Sequence, residues 1–569
     1  MKSSNTENPR RKKIVSILGG VIALIFYIVS CIAVIRNNAA ASNALSGGDE
    51  KIQTITVAHW QLEDGFREGF DHAIKEFEKI KAAQGKKVKI IQNAIPSRGY
   101  SQWYITQLIS GNPADVIELR VSAEIQSRYF TPLSTYITQP NPFNADTEYK
   151  NMAWKDTFID GMDNSLNPIF SEYYGVGIFR HCQRVYVNLD LLKAATGSEK
   201  TPETYEEWID CCKKVEEYGR KINKTIIPIG VRGIDRTTVA MLHDRYFNEL
   251  NCHYNDIISK YCDGITPKPE VYIAMSKGKI DFNRFFTPAE ILKDIGKYFS
   301  EGFSTTGADQ TKFLFFTGNV CFFPEGSWDA WSMVNNTPFK VKIILVPSLD
   351  KRGKYKDIIA GRIFENAYRT AGKFGIPKAS KNKELALEFL QFLTSWKMNQ
   401  KTMMEFCKWP PVVINAKYTG MLTAMKPSMG DARRQLNSPF MFNTKSRDVT
   451  SASVERIIIE QPSEPKLAFA EDMMKNLNVI KNELKNATAD YERQLFDMEG
   501  SRTTVSTALM RSDLSTAEQK NQTERSMMTI ENIASREFLR HQNIEAYNAM
   551  DEVKEKLNEY IANYSRGKK

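Results

Sequence analysis

Histidine is scarce in this chain: six in 569 residues, at positions 59, 72, 181, 243, 253 and 541. None stands in HExxH, which excludes the helix-borne zinc site of the common metalloproteases. The sequence also lacks GxSxG, GxGxxG and the Gly-rich Lys-Ser/Thr phosphate loop. Their absence removes the usual signals for an α/β hydrolase, a dinucleotide enzyme and a P-loop nucleotidase. CxxC does not occur, and no Cys/His group has zinc spacing. His181 and Cys182 are neighbours, but adjacency along a strand sends them to opposite faces. Carboxylate neighbours such as Glu63 and Asp64 suit acid/base work, yet 67 acidic residues make chance pairs common. Nothing here marks an enzyme, and no cofactor or metal is implied.

The charge is mixed. Lys and Arg number 77 against 67 acidic residues, for a net +10 spread along the whole chain. No basic tract is interleaved with aromatics, as single-strand binders require, so nucleic acid is not expected as a partner. Residues 14–35, IVSILGGVIALIFYIVSCIAVI, carry no charge and are long enough to span a bilayer. Arg10, Arg11, Lys12 and Lys13 precede them and place the N-terminus in the cytoplasm. Everything after Arg36 is then exported. Three fates stay open: an uncleaved anchor, cleavage near Ala39-Ala40-Ala41, or a lipoprotein signal at Cys31. Export would let some of the seven later cysteines pair. Cys252 and Cys262 are the closest non-adjacent candidates, and an odd count leaves at least one over.

Residues 36–51 are rich in Asn, Ala, Ser and Gly and read as a flexible tether. A regular alternation follows. Ile52 to His59 reads as a strand, and Phe70, Ile74, Phe77 and Ile80 mark a helix over 66–80. Val88 to Ile91 is a second strand. In YSQWYITQLISGNPADVIEL, Tyr100 to Leu119, residues Tyr104, Leu108 and Ile109 form a helical stripe that Gly111 and Pro113 end. Asp115-Val116-Ile117 then opens a strand whose far end delivers Glu118 and Arg120. This is the pattern of a doubly wound α/β lobe, whose ligands sit beyond the carboxyl ends of the strands. In the tail, Met473, Leu477, Ile480, Leu484, Ala487 and Tyr491 repeat at helical spacing. So do Met550, Val553, Leu557, Tyr560 and Tyr564. Two such stretches pair as an antiparallel hairpin or take a partner helix.

Segments spread in order over about residues 52 to 420 resemble the extracellular solute-binding proteins of family 1, the carbohydrate-type binding proteins of bacterial ABC importers. The resemblance rests on QLISG with DVI at 107–117 and TPLSTYI at 131–137. It continues through YYGVGIFRHCQRVYVN at 173–188 and TPETYEEW at 201–208. FLFFTGNVCFFPEGSW at 313–328, GIPKASKNKELALEFLQFL at 375–393 and KWPPVVINAKY at 408–418 complete it. It implies an α/β, bilobed, type II-like periplasmic-binding fold that closes over a ligand by a hinge. The expected division is 52–165 with 338–400 in lobe 1, and 166–337 with 401–499 in lobe 2. Residues 1–13 form a basic cytoplasmic segment, 14–35 an anchor or signal, 36–51 a linker, and 500–569 a helical extension beyond the family pattern. The implied function is extracytoplasmic capture of a carbohydrate and its delivery to the permease of an ABC importer.

Sugars present an apolar C–H face and a ring of hydroxyls, so a site for them pairs an aromatic platform with fixed polar groups. Trp60 and Trp328 suit the platform, and the resemblance puts Trp328 where the family stacks a sugar. Tyr174 lies at the crossover between lobes. Asp64 and Glu118 suit hydroxyl donors, and Arg120 and Arg362 offer planar forks. Tyr100 and Arg98 lead into the helix, and Trp103 lies on it as a partly core residue. Arginines 98, 120 and 362 together in a cleft would favour an acidic sugar. The competing readings are a membrane-tethered sensor or adaptor on the same fold, an exported hydrolase, and a non-sugar solute such as a peptide, polyamine or anion.

Overall fold

In the computed structural model of the protein, residues 52–121, 123–167, 172–234, 236–258, 267–363, 365, 370–428, 430–431, 433–511 and 517–566 are described. The apolar stretch 14–35, Cys31 and Cys262 lie outside them. Among the described residues no helix is long and apolar enough to cross a membrane.

Two lobes each hold one sheet. The first lobe begins with β1 (Gln53–His59), α1 (Phe66–Ala83), β2 (Val88–Ala94), α2 (Ser97–Ile109) and β3 (Val116–Glu118). β1 is parallel to both β2 and β3, with Val57 opposite Val116 and Ala58 opposite Ile117. Both faces are covered: Ile55, Val57 and Val116 join one core, Ala58 and Ile117 another. Burial on both sides explains why β3 reads as an unbroken apolar run rather than alternating. α1 buries Phe66, Phe70, Ala73, Ile74 and Phe77. α2 buries Tyr100, Tyr104 and Leu108, at steps of four. Ile109, expected in that stripe, is 69% exposed, because one residue turns the helix by about 100° away from Leu108.

A short ribbon of β4 (Leu166–Asn167) and β5 (Glu172–Tyr173) leads to β6 (Val176–Arg180). β6 pairs with the late strand β11 (Thr370–Gly375), which pairs with β3. The first sheet therefore has the order β2-β1-β3-β11-β6. The second sheet, β10-β7-β9-β8, holds β7 (Gln183–Asn188), β8 (Ile227–Ile229), β9 (Val320–Gly326) and β10 (Val341–Ile344). Two expected boundaries move. Residues 176–180 belong with the first sheet, and β10, placed in lobe 1 by the sequence, pairs with β7 in the second. Both corrections concern a strand that reads the same whichever sheet it joins, so only its non-local partner decides its lobe. Likewise Met403, Cys407, Trp409, Val412 and Val413 fill the first core, so the return crossing lies after Val413 and not at 401.

The second sheet is also covered twice. Tyr186, Phe323 and Ile343 face a small core, while Val185, Val187, Cys321 and Phe322 face a large helical one. That large core recruits α3 (Thr237–Asn251), α4 (Lys268–Ser276), α5 (Phe282–Gly296), α6 (Thr444–Glu460), α7 (Pro465–Arg511) and α8 (Met550–Arg566). Met473, Leu477, Ile480 and Leu484 of α7 meet Met550, Val553 and Leu557 of α8 inside it. The tail thus packs within the chain. The helix Ala517–Asn548 runs back along α7, joined by Arg536 Nε to Gln494 Oε1 at 2.9 Å and Arg540 to Glu492 at 3.2 Å. The six described cysteines, 182, 211, 212, 252, 321 and 407, are free. The Cys252 thiol donates to the Gly361 carbonyl at 3.6 Å.

Leu557 is fully buried in the second-lobe core. Leu557→Ala is expected to cost about 2–5 kcal/mol, while Ile109→Ala on the exposed face stays within about 0.5 kcal/mol. Urea unfolding midpoints at unchanged slope check both.

Candidate functional site

The strand directions bring two edges together. β1, β3 and β6 run in the same direction towards one edge of the first sheet; β1 and β3 end level at His59 and Glu118, and β6 starts near that level and runs on to Arg180. β8 and β9 end at Ile229 and Gly326 on one edge of the second, where β7 begins and β10 finishes. The chain passes directly from Arg180 to Gln183, so these two edges meet at the first crossing. A second crossing runs from β10 to β11, and a third follows Val413.

Two buried arginines flank the first crossing and hold the other two to it. Arg180 donates to the Pro411 carbonyl at 2.5 Å and to the Tyr418 hydroxyl at 2.7 Å. Arg184 grips Glu365 of the second crossing with both terminal nitrogens, at 2.9 and 3.0 Å. It also donates to the carbonyls of Ala424 and Lys426 on the third. Glu365→Ala leaves the Arg184 charge buried and unpaired. It is expected to cost about 3–5 kcal/mol, measurable by chemical denaturation.

On the first lobe, Glu118 is 1% exposed. Its carboxylate accepts from Gln61 Nε2 at 2.6 Å and from the Trp60 N–H at 3.3 Å. Burial pushes its pKa up to about 8, against those two hydrogen bonds, which lower it. Arg120 lies over the Trp60 ring, 4.9 Å from the ring centre, and its N–H donates to the Tyr104 hydroxyl at 2.8 Å. Tyr100 is wholly buried beneath this group. Its hydroxyl meets the carbonyls of Ala58 at 3.1 Å and Glu118 at 2.8 Å, tying β1 to β3.

At the second lobe's edge lies a cavity of about 290 Å³, lined by His181, Gln183, Asp244, Arg245, Trp328, Glu365 and neighbours. The Trp328 ring meets His181 edge-on at 5.2 Å. A side chain on Gly326 would collide with the Trp328 ring, which explains the Gly-Ser-Trp spacing: the tryptophan folds back over the end of its own strand. His181 Nδ1 is buried without a partner, and burial holds the imidazole down at about 4. Asp244, raised to about 6 by burial, accepts from Gln435 Nε2 at 2.9 Å.

The expected site residues fall into distinct places. Trp60, Glu118 and Arg120 form one cluster, with Tyr100 and Tyr174 in the core below it. Trp328 belongs to the cavity. Asp64 bridges the lobes by accepting from Ser332 Oγ at 2.9 Å. Arg362 and Arg98 are exposed. The Arg362 N–H bonds Asp431 at 2.8 Å, and it is Ile363 and Glu365 of that stretch that line the cavity. Trp103 is half-buried and stacks on Tyr100 at 6.3 Å. Sequence reasoning missed Gln61, His181, Gln183, Asp244, Arg245, Glu365 and Gln435. His181 and Gln183 were findable, since they occupy the crossover that the sequence located. Among the described residues no cluster of His, Cys, Asp and Glu is arranged to hold a metal.

The raised pKa of Glu118 sets a pH dependence. Between its ordinary 4.5 and about 8 the folded protein keeps a proton that the unfolded chain has released. Stability from this group is full below pH 4.5 and is lost as pH rises to about 8. Glu118→Gln is expected to be less sensitive to that rise than the parent, as denaturation midpoints across the range will read.

No curated protein sequence matches the chain. Among solved structures it is similar to the GacH receptor of Streptomyces glaucescens. They share 13% identity over 76% of this chain and 99% of that one, with a TM-score of 0.51. It is similar also to apo RafE of Streptococcus pneumoniae, at 16% identity over 75% and 97%, with a TM-score of 0.50. At such identity the likeness establishes a shared fold. The profile described as bacterial extracellular solute-binding protein matches residues 61–400. With more than half of its length inside that match, and with two lobes meeting at three crossings, the chain belongs to the family of bacterial extracellular solute-binding proteins.

Proposed function

We propose that the protein captures a carbohydrate between its lobes and presents it to the permease of an ABC importer. The observation that carries this is the setting of Trp328. Its half-buried ring borders a cavity whose rim supplies Gln183, Asp244, Arg245, Glu365 and Gln435 from several separate stretches of the chain. An aromatic face with convergent polar groups suits a pyranose, whose C–H face stacks while its hydroxyls find partners. At about 290 Å³ the cavity is at the small end of ligand sites and favours one or two sugar rings. The GacH receptor, of the same fold, has been solved in complex with acarbose. Residues 14–35 would tether the lobes to the outer face of the membrane they cross. The work is binding with lobe closure, without covalent chemistry.

A thermal-shift screen against mono- and disaccharides, amino acids, peptides and polyamines tests the reading. A saccharide at a hundred times its dissociation constant should stabilise by about 2.7 kcal/mol. Trp328→Ala should abolish that shift and Gly326→Ala should weaken it by displacing the ring. A shift with amino acids, peptides or polyamines alone would overturn the carbohydrate assignment.

A further inference from the structure

A second groove, of about 790 Å³, lies where the third crossing passes between the lobes. One wall is the helix Trp396–Gln400 and the π-helical turn Lys401–Cys407. The other is Val334–Asn335 with 419–422. Four lysines line it, at 397, 401, 408 and 417, against one carboxylate, Glu405. Lys397 pairs with Asp146. Lys408 Nζ donates to the Glu405 carbonyl at 2.8 Å, and Lys417 lies 6.0 Å from the Trp396 ring centre. Among the described residues neither Lys401 nor Lys417 has an ion-pair partner.

The backbone under these lysines is unusual. A π-helical turn is rare and concentrates at functional sites. This one ends on Lys408 in the left-handed region, φ 61°, a conformation that non-glycine residues seldom adopt. Packing holds it there: Met403 is buried in the first-lobe core and Met404 in the second. Strain maintained by packing next to a charged concavity points to a ligand.

The lining defines the ligand's chemistry. Ammonium groups crowded into a concave surface focus a positive field and attract oxyanions. They donate and cannot accept. Gln400 Oε1, a candidate acceptor, is already taken by the Lys417 N–H at 2.9 Å. A peptide brings an N–H per residue, fixed in place, that the ammonium groups cannot accept, whereas a sugar hydroxyl, which both donates and accepts, can turn its oxygen to an ammonium and its hydrogen to water. Trp396, Met421 and Leu422 add apolar surface for C–H faces. We infer that this hinge groove is a second site, separate from the cavity at Trp328, that takes an acidic saccharide bearing uronate or sulfate groups.

Calorimetric titration of the full chain with tetragalacturonate tests this. Binding is expected, and should weaken at least tenfold in the double variant Lys401→Gln/Lys417→Gln. Both lysines lie at the groove surface, so the variant should melt with the parent. Trp328→Ala should leave this affinity unchanged, which separates the outcome from that of the cavity. The inference is overturned by no binding, by binding lost in Trp328→Ala and kept in the lysine variant, or by equal binding of a tetraglutamate peptide.

Discussion

Arg180 and Arg184 are the constraint on which the two-lobed arrangement depends. They bracket the short first crossing, and between them they fasten the second and third crossings to it. A hinge made of three unlinked strands of chain would let the sheet edges slide. Two guanidiniums, each filling several acceptors in a dry setting, keep the edges in register. The geometry suits arginine and would not suit lysine, because the fork presents its donors at fixed angles to carboxylate and carbonyls together.

The same junction organises the chemistry around it. Glu365 fixes Arg184 from behind and borders the cavity in front. Asp64 reaches from the start of α1 to Ser332 on the second lobe. Gly65 permits this approach, since a side chain there would run into Trp331 and the Phe406 carbonyl. The π-helical turn then sets consecutive methionines into the two cores. The two lobes therefore meet at this junction through a few packed contacts. The cavity at Trp328 and the lysine-lined groove both border on this junction, so both take walls from more than one part of the fold.

Much of the first lobe was legible. The alternation of strand and helix, the strand ends at His59 and Glu118, and the tryptophan at the end of Gly326-Ser327-Trp328 follow from local pattern. Tyr100 shows the limit: its position before a strand edge suits a ligand contact or a core tie equally, and only the fold spends its hydroxyl on two carbonyls. Asp244, Arg245 and Gln435 carry no local signal at all. They sit on helical or irregular stretches that nothing in the pattern orients, and reach the cavity because the second lobe's helices pack as they do.

By itself the sequence determined the α/β alternation of strands and helices, because hydrophobic period and turn chemistry are local properties that hold in any context, and its ordered segments carried the resemblance to solute-binding proteins. Only the tertiary structure decided which sheet claims β6 and β10, which carboxylates are buried, and how the tail fills the second-lobe core. Those outcomes depend on partners far away in the chain, and a strand or an acid carries no mark of its partner until the two are brought together.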